Sequence, residues 1–149
     1  MKNSDKSIFE YDITPIKQVI VIACTIFLFI LVARIPVWLG IMEEDPMTPW
    51  LIACSMTFFY AIANSVLSIS TSDQNSYWWQ SMLGYVAVAV LGGGFAYLIS
   101  GVGMDEVGSF KWLFSMFAIG HVLFLAIART MRKIVKIATD QDKKLRGEE

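Results

Sequence analysis

The sequence predicts an all-α, polytopic integral membrane protein, with four transmembrane helices in an antiparallel bundle and both termini in the cytoplasm. Three observations predict it. Of the 149 residues, 56% are hydrophobic and 17% charged, and the apolar residues come in blocks rather than on periodic faces. Each block is long enough to cross a bilayer, which takes about 20 mostly apolar residues per helix. The charges and tryptophans are placed around these blocks as a membrane protein places them.

A polar N-terminal segment, 1–14, comes first. Thr14 and Pro15 then form a helix start, with a capping hydroxyl before a proline at the first helical position. The first span is expected over Pro15 to Met42. It is not a cleaved leader, because only about four apolar residues separate Gln18 from Cys24, short of an h-region of about 7–15. Asp45-Pro46 and Thr48-Pro49 are the two possible starts of the second span, 49–70. A short polar connection leads to a third span, 78–100, and a Gly-rich connection to a fourth, 110–128. Residues 129–149 read as a basic helical tail, with Met131, Ile134, Val135 and Ala138 recurring at helical spacing.

Orientation follows from charge. Lys2 and Lys6 precede the first span and Lys17 lies in its first turn, and Arg129, Arg132, Lys133 and Lys136 open the tail. The connections after spans one and three carry Glu43, Glu44 and Asp45, and Asp105 and Glu106. The positive-inside rule then puts the termini inside and the acidic loops outside. Trp38, Trp50 and Trp112 are expected at outer span ends, and Trp78 and Trp79 at an inner one. Cys24 and Cys54 lie at different depths, so no disulfide is expected, and both read as small buried apolar residues.

Polar residues inside the spans are the candidates for function. Arg34 lies two residues before Pro36 near the outer end of span one. It can snorkel to Glu43, Glu44, Asp105 or Glu106, or bond the Val32 carbonyl that Pro36 frees, or bind an anionic ligand. His121, the single histidine, sits at the depth of Thr57 and Tyr60. A hydrogen bond across helices to one of them is expected, worth about 0.6 kcal/mol on average. A proton relay is the sharper alternative. Haem ligation is a third, and would need a second ligand from elsewhere. Asn64 is expected to bond another helix. On span three, Gly84, Ala89, Gly92, Gly93 and Gly94 make a flat surface suited to close helix packing.

Missing features narrow the reading. No carboxylate lies deep in a span, as proton- or sodium-coupled carriers usually require. There is no zinc-protease, phosphate-loop or nucleophile-elbow motif and no Cys/His cluster. The layout resembles that of small accessory or assembly subunits of bacterial membrane complexes. The leading expectation is a non-enzymatic accessory subunit in the inner (plasma) membrane. It would dock on a larger membrane protein, or on itself, through the third span. Arg129, Arg132, Lys133 and Lys136 would bind anionic headgroups or a partner. No cofactor, metal or nucleic acid is expected. The alternative is a small oligomeric channel or carrier that uses Arg34, Tyr60 and His121.

Overall fold

The computed structural model describes residues 14–70 and 74–147. They form four α-helices: α1 Pro15–Trp38, α2 Thr48–Leu67, α3 Gln74–Ser100 and α4 Ser109–Arg146. A 3₁₀ turn over Ser68–Ser70 extends α2. No strand occurs among the described residues. All four helices are long and apolar enough to cross a membrane, so each satisfies its own backbone groups where lipid offers no partner.

Side-chain contacts give the order of the bundle. Gln18 of α1 meets Tyr77 of α3, and further along Arg34 meets Ile99, so α1 and α3 run parallel. Trp50 reaches Val102 just past the end of α3, while Asn64 bonds Tyr77 near its start, so α2 runs against α3. Phe58 packs against Phe117, and Ser65 meets His121, so α4 runs with α2. The result is an up-down-up-down bundle in which α2 and α3 are central, α1 packs on both, and α4 packs chiefly on α2. Ile26, Ile30, Trp50, Ala53, Val88 and Ala96 fill the half of the interior nearer the 39–47 and 101–108 connections. The opposite faces of α1 and α4 remain uncovered, with Ile16, Val21, Leu28, Met116 and Leu123 more than half exposed. A bilayer takes up that surface.

Several boundaries differ from the sequence expectation. α1 stops at Trp38 although the apolar run continues to Met42. Gly40 takes a left-handed φ of 68°, its N–H bonds Val37 O at 3.0 Å, and the Ile41 N–H reaches back to Pro36 O at 2.9 Å. This is a Schellman stop, which a glycine permits at no steric cost. Thr14 occupies the N-cap position without a side-chain cap; its carbonyl accepts from Lys17 N at 3.0 Å instead. α2 starts at the second candidate site. Asp45 forms the turn before it, its carboxylate accepting from Met47 N at 2.9 Å and from the Thr48 hydroxyl at 3.2 Å. α3 begins at Gln74, four residues before Trp78. α4 runs without a break to Arg146, where Gly147 in the left-handed region ends it.

Two burial expectations are corrected. Trp50 is a core residue, only 2% exposed, because its indole N–H donates to Val102 O at 3.2 Å and so ties α2 to the α3–α4 connection. Trp38, Trp79 and Trp112 are exposed. Cys24 faces out of the bundle while Cys54 is buried, and both are free thiols.

Candidate functional site

Arg34 is half-sheltered at one end of the bundle. One guanidinium nitrogen donates to Glu44 and the other to Ile99 O. The Ile99 carbonyl belongs to the last turn of α3, where carbonyls lack intrahelical partners. The arginine therefore caps a neighbouring helix and pins the α1–α2 connection to it. Of the expected partners Glu44 is the one engaged, and the Val32 carbonyl next to Pro36 is not. The planar, forked guanidinium suits this double duty. Arg34→Leu is expected to leave Glu44 and the Ile99 carbonyl unpaired. The unpaired carbonyl costs about 1–3 kcal/mol, the range for a polar group left without its partner, the half-exposed Glu44 adds little, and residues 39–47 loosen. Limited proteolysis of the nanodisc-embedded protein reads it as faster cleavage in that connection with the helices intact.

A second polar cluster lies in the other half of the interior. Asn64 is fully buried, and its amide donates to Gln18 Oε1 at 2.8 Å. Gln18 Nε2 donates to Tyr77 Oη at 3.2 Å, and the Tyr77 hydroxyl donates to the Asn64 backbone carbonyl at 3.3 Å. The three residues thus close a ring across α1, α2 and α3, in which Asn64 Oδ1 has no partner. His121 from α4 enters one turn further in. Its Nδ1 lies 3.2 Å from Ala61 O and 3.3 Å from Ser65 Oγ, and its Nε2 lies 3.4 Å from Ser81 O. The Ser65 hydroxyl gives its own proton to Ala61 O at 2.6 Å, so a neutral ring with its proton on Nδ1 donates to the Ala61 and Ser65 oxygens, and one with its proton on Nε2 donates to Ser81 O. The ring stacks on Tyr85 at 5.4 Å between centroids with an interplanar angle of 21°.

The expected bond from His121 to Tyr60 or Thr57 is absent. Thr57 bonds back to Ala53 O at 2.7 Å within its own helix. Tyr60 makes only a ring contact with His121, at 6.1 Å, and its hydroxyl, buried against Gly84, has no hydrogen-bond partner. Ser65, Ser81, Tyr85, Gln18 and Tyr77 were not among the sequence candidates. Ser81 and Ser65 act through or beside backbone carbonyls, which leave no composition signal. Arg34 and His121 are not brought together: their contacts on α3, Ile99 and Ser81, lie about 27 Å apart along the helix at ~1.5 Å per residue. Among the described residues no group of His, Cys, Asp and Glu is arranged to hold a metal ion.

The five small residues of α3 divide by role. A Cβ on Gly84 would collide with the Tyr60 hydroxyl. One on Gly92 would lie 3.2 Å from Ile26 Cδ1 and 3.4 Å from Ala53 Cβ. Both glycines serve close packing inside the bundle. A Cβ on Gly93 meets the Trp50 ring at an ordinary 3.6 Å, and one on Gly94 meets nothing within 4 Å. Ala89, Gly93 and Gly94 instead line an open apolar groove of about 450 Å³, with Trp50, Tyr85 and Tyr97 among its other walls. In the tail, Arg129 donates to Asn75 Oδ1 at 3.1 Å and is partly spent within the bundle. Arg132 is half-buried, whereas Lys133 and Lys136 are exposed.

These features define a class: a membrane-spanning four-helix bundle with a buried polar network and an uncovered glycine-lined groove. Comparison with protein-family models, with curated proteins and with solved structures gives no significant match. The function is therefore argued from the groove and the polar sites themselves.

Proposed function

We propose that the protein is a non-enzymatic accessory or assembly subunit of a larger inner-membrane complex, with both termini in the cytoplasm. The observation that carries the reading is the groove along α3. Ala89 and Gly93 are one helical turn apart on its floor, and its walls are apolar and aromatic. A groove of this kind, opening where lipid would lie, fits the side chains of a partner's transmembrane helix. Small residues permit close backbone approach, and tight van der Waals contact then replaces the hydrophobic drive that lipid does not supply. The exposed Lys133 and Lys136 would lie at the cytoplasmic surface, where each basic residue gains about 1 kcal/mol from anionic headgroups.

The carrier alternative draws less support from the geometry. Arg34 is committed to Glu44 and the Ile99 carbonyl, and the interior between it and His121 is filled by Ile26, Ile30, Trp50, Ala53 and Val88. Haem ligation is weaker still, because His121 is 1% exposed and both its nitrogens already face polar atoms.

The test is affinity purification in mild detergent, with mass spectrometry and a visible spectrum. A stoichiometric larger membrane protein is expected to co-purify with the wild type. Gly93→Leu, which fills the groove from its floor, is expected to lose that partner while the bundle keeps its stability within about 0.5 kcal/mol, as surface changes do. Retention of the partner by Gly93→Leu removes the groove from the reading. A wild-type preparation without any partner removes the reading itself.

A further inference from the structure

The buried face of α4 ends in a cation. His121, Leu125 and Ala128 are buried, and their spacings of four and three place Arg132, four residues further on, on the same face. Arg132 is accordingly half-buried, and its Nη1 atom is buried with no hydrogen-bond partner. Arg129 lies three residues back, a neighbour on the helix surface. Its bond to Asn75 Oδ1 at 3.1 Å turns it toward the start of α3. Neither arginine is in an ion pair among the described residues, and the first turn of α3 carries no acidic residue. Two positive charges thus stand together against the bundle without a counter-charge. A shallow recess of about 10 Å³ opens beside them, lined by Ser68, Tyr77, Trp78, Leu125 and Arg129. That is room for about one water-sized oxygen.

We propose that this corner binds the phosphate of an anionic phospholipid, with Arg129 and Arg132 as its cationic donors. A guanidinium drawn partly out of water without an acceptor is costly, and its planar fork matches phosphate oxygens. One phosphate oxygen enters the recess beside Arg129, and the others face Arg132. Depth selects a lipid as the source. The apolar run of α4 ends at Ala128, so both arginines lie within about one helical turn of the hydrocarbon edge, at the level of headgroup phosphates. Trp78, in the wall of the recess, is a side chain that favours this level. On the membrane side of the corner, Phe124 and Ile127 are exposed and offer acyl chains an apolar surface. Basic pockets between spanning helices hold such headgroups. The corner is distinct from the exposed Lys133 and Lys136, which gain from any anionic surface. It shares no residue with the partner contact proposed for Gly93, so the inference stands apart from the accessory-subunit reading.

Native mass spectrometry and thermal unfolding of the full chain test it, in mild detergent with added phosphatidylglycerol or phosphatidylcholine. The wild type is expected to retain phosphatidylglycerol and to unfold at a higher temperature with it than with phosphatidylcholine. Arg132→Gln is expected to weaken retention several-fold. Arg132→Lys, which keeps the charge and loses the fork, weakens it less. Lys133→Gln combined with Lys136→Gln removes more charge from the same helix and is expected to leave retention unchanged. With phosphatidylcholine alone, Arg132→Gln is expected to be at least as stable as the wild type, because it removes an unpaired charge. No retained lipid in the wild type, or an equal loss in the lysine variant, overturns the proposal. Inorganic phosphate that stabilises the wild type as much as phosphatidylglycerol overturns the lipid as source. Asp73 precedes α3 in the sequence and lies outside the described residues. If Asp73→Asn and Arg132→Gln both destabilise the protein in phosphatidylcholine, the arginine has an internal partner and the proposal falls. Gly93→Leu is expected to keep the lipid, which separates failure here from failure of the groove.

Discussion

Gly84→Ala destabilises the bundle by about 1–3 kcal/mol, the usual cost of overpacking a tight contact. A methyl group there would collide with the hydroxyl of Tyr60, and would also lie 3.1 Å from Tyr60 Cζ and from Val19 Cγ2. Tyr60 cannot swing aside, because it is 1% exposed and held among α1, α2 and α3. Its hydroxyl has no hydrogen-bond partner, so Tyr60→Phe alone costs little or stabilises, as removal of an unsatisfied buried group does. The double variant Gly84→Ala with Tyr60→Phe should then recover part of the loss, since the worst contact is gone while the contact to Cζ remains. Unfolding by denaturing detergent in micelles measures the cycle. Gly94→Ala, where nothing lies within 4 Å, is the matched control and should be neutral. Equal effects at Gly84 and Gly94 would reject the close approach of α3 to α2.

His121→Ala is the second large effect. The imidazole lies between the Ala61 carbonyl and Ser65 hydroxyl of α2 and the Ser81 carbonyl of α3. A neutral ring has one N–H to donate, so its removal deletes at least one hydrogen bond, at about 0.6 kcal/mol on average. It also removes the Tyr85 stack, worth about 0.5–1.5 kcal/mol, and leaves a cavity at a site 1% exposed. A total of about 2–4 kcal/mol is expected, in the range of large-to-small core changes. Because α4 makes few contacts with α3, the loss should appear as local separation of α4. Hydrogen exchange should rise in 109–128 more than in α2. His121→Asn, which retains an amide donor and acceptor, should recover part of the stability. Uniform exchange across all four helices would mean that His121 does not act as the link between α4 and the rest.

How much of this could be read beforehand depended on the kind of signal. The spans themselves are one-dimensional: a run of about 20 apolar residues is a property of the chain, and lipid requires each run to become a helix. Asn64 was legible as an interhelical donor because an amide in a span must find a partner, although Gln18 and Tyr77 were not legible as that partner. The α1 stop was written in Gly40, and the hydropathy of Ile41 and Met42 hid it. Trp50 read as an interface residue because tryptophans at span ends usually are. Only the position of the Val102 carbonyl turns it inward.

What the sequence by itself determined is the membrane-spanning, four-helix class, since block length and charge placement depend on no contact between distant residues. What only the tertiary structure decided is the use of each polar and small residue. Arg34 could reach four carboxylates, and the approach of the α1–α2 connection to the end of α3 chose Glu44 and a helix-end carbonyl. His121 had Thr57 and Tyr60 at its depth, but depth leaves the rotation of α2 and α4 about their axes open, and that rotation presents Ser65 and Ala61 instead. The glycines of α3 are alike in the sequence. Their separation into a packed pair, Gly84 and Gly92, and an open pair, Gly93 and Gly94, follows from the 100° per residue turn of a helix that has neighbours on one side and a groove on the other.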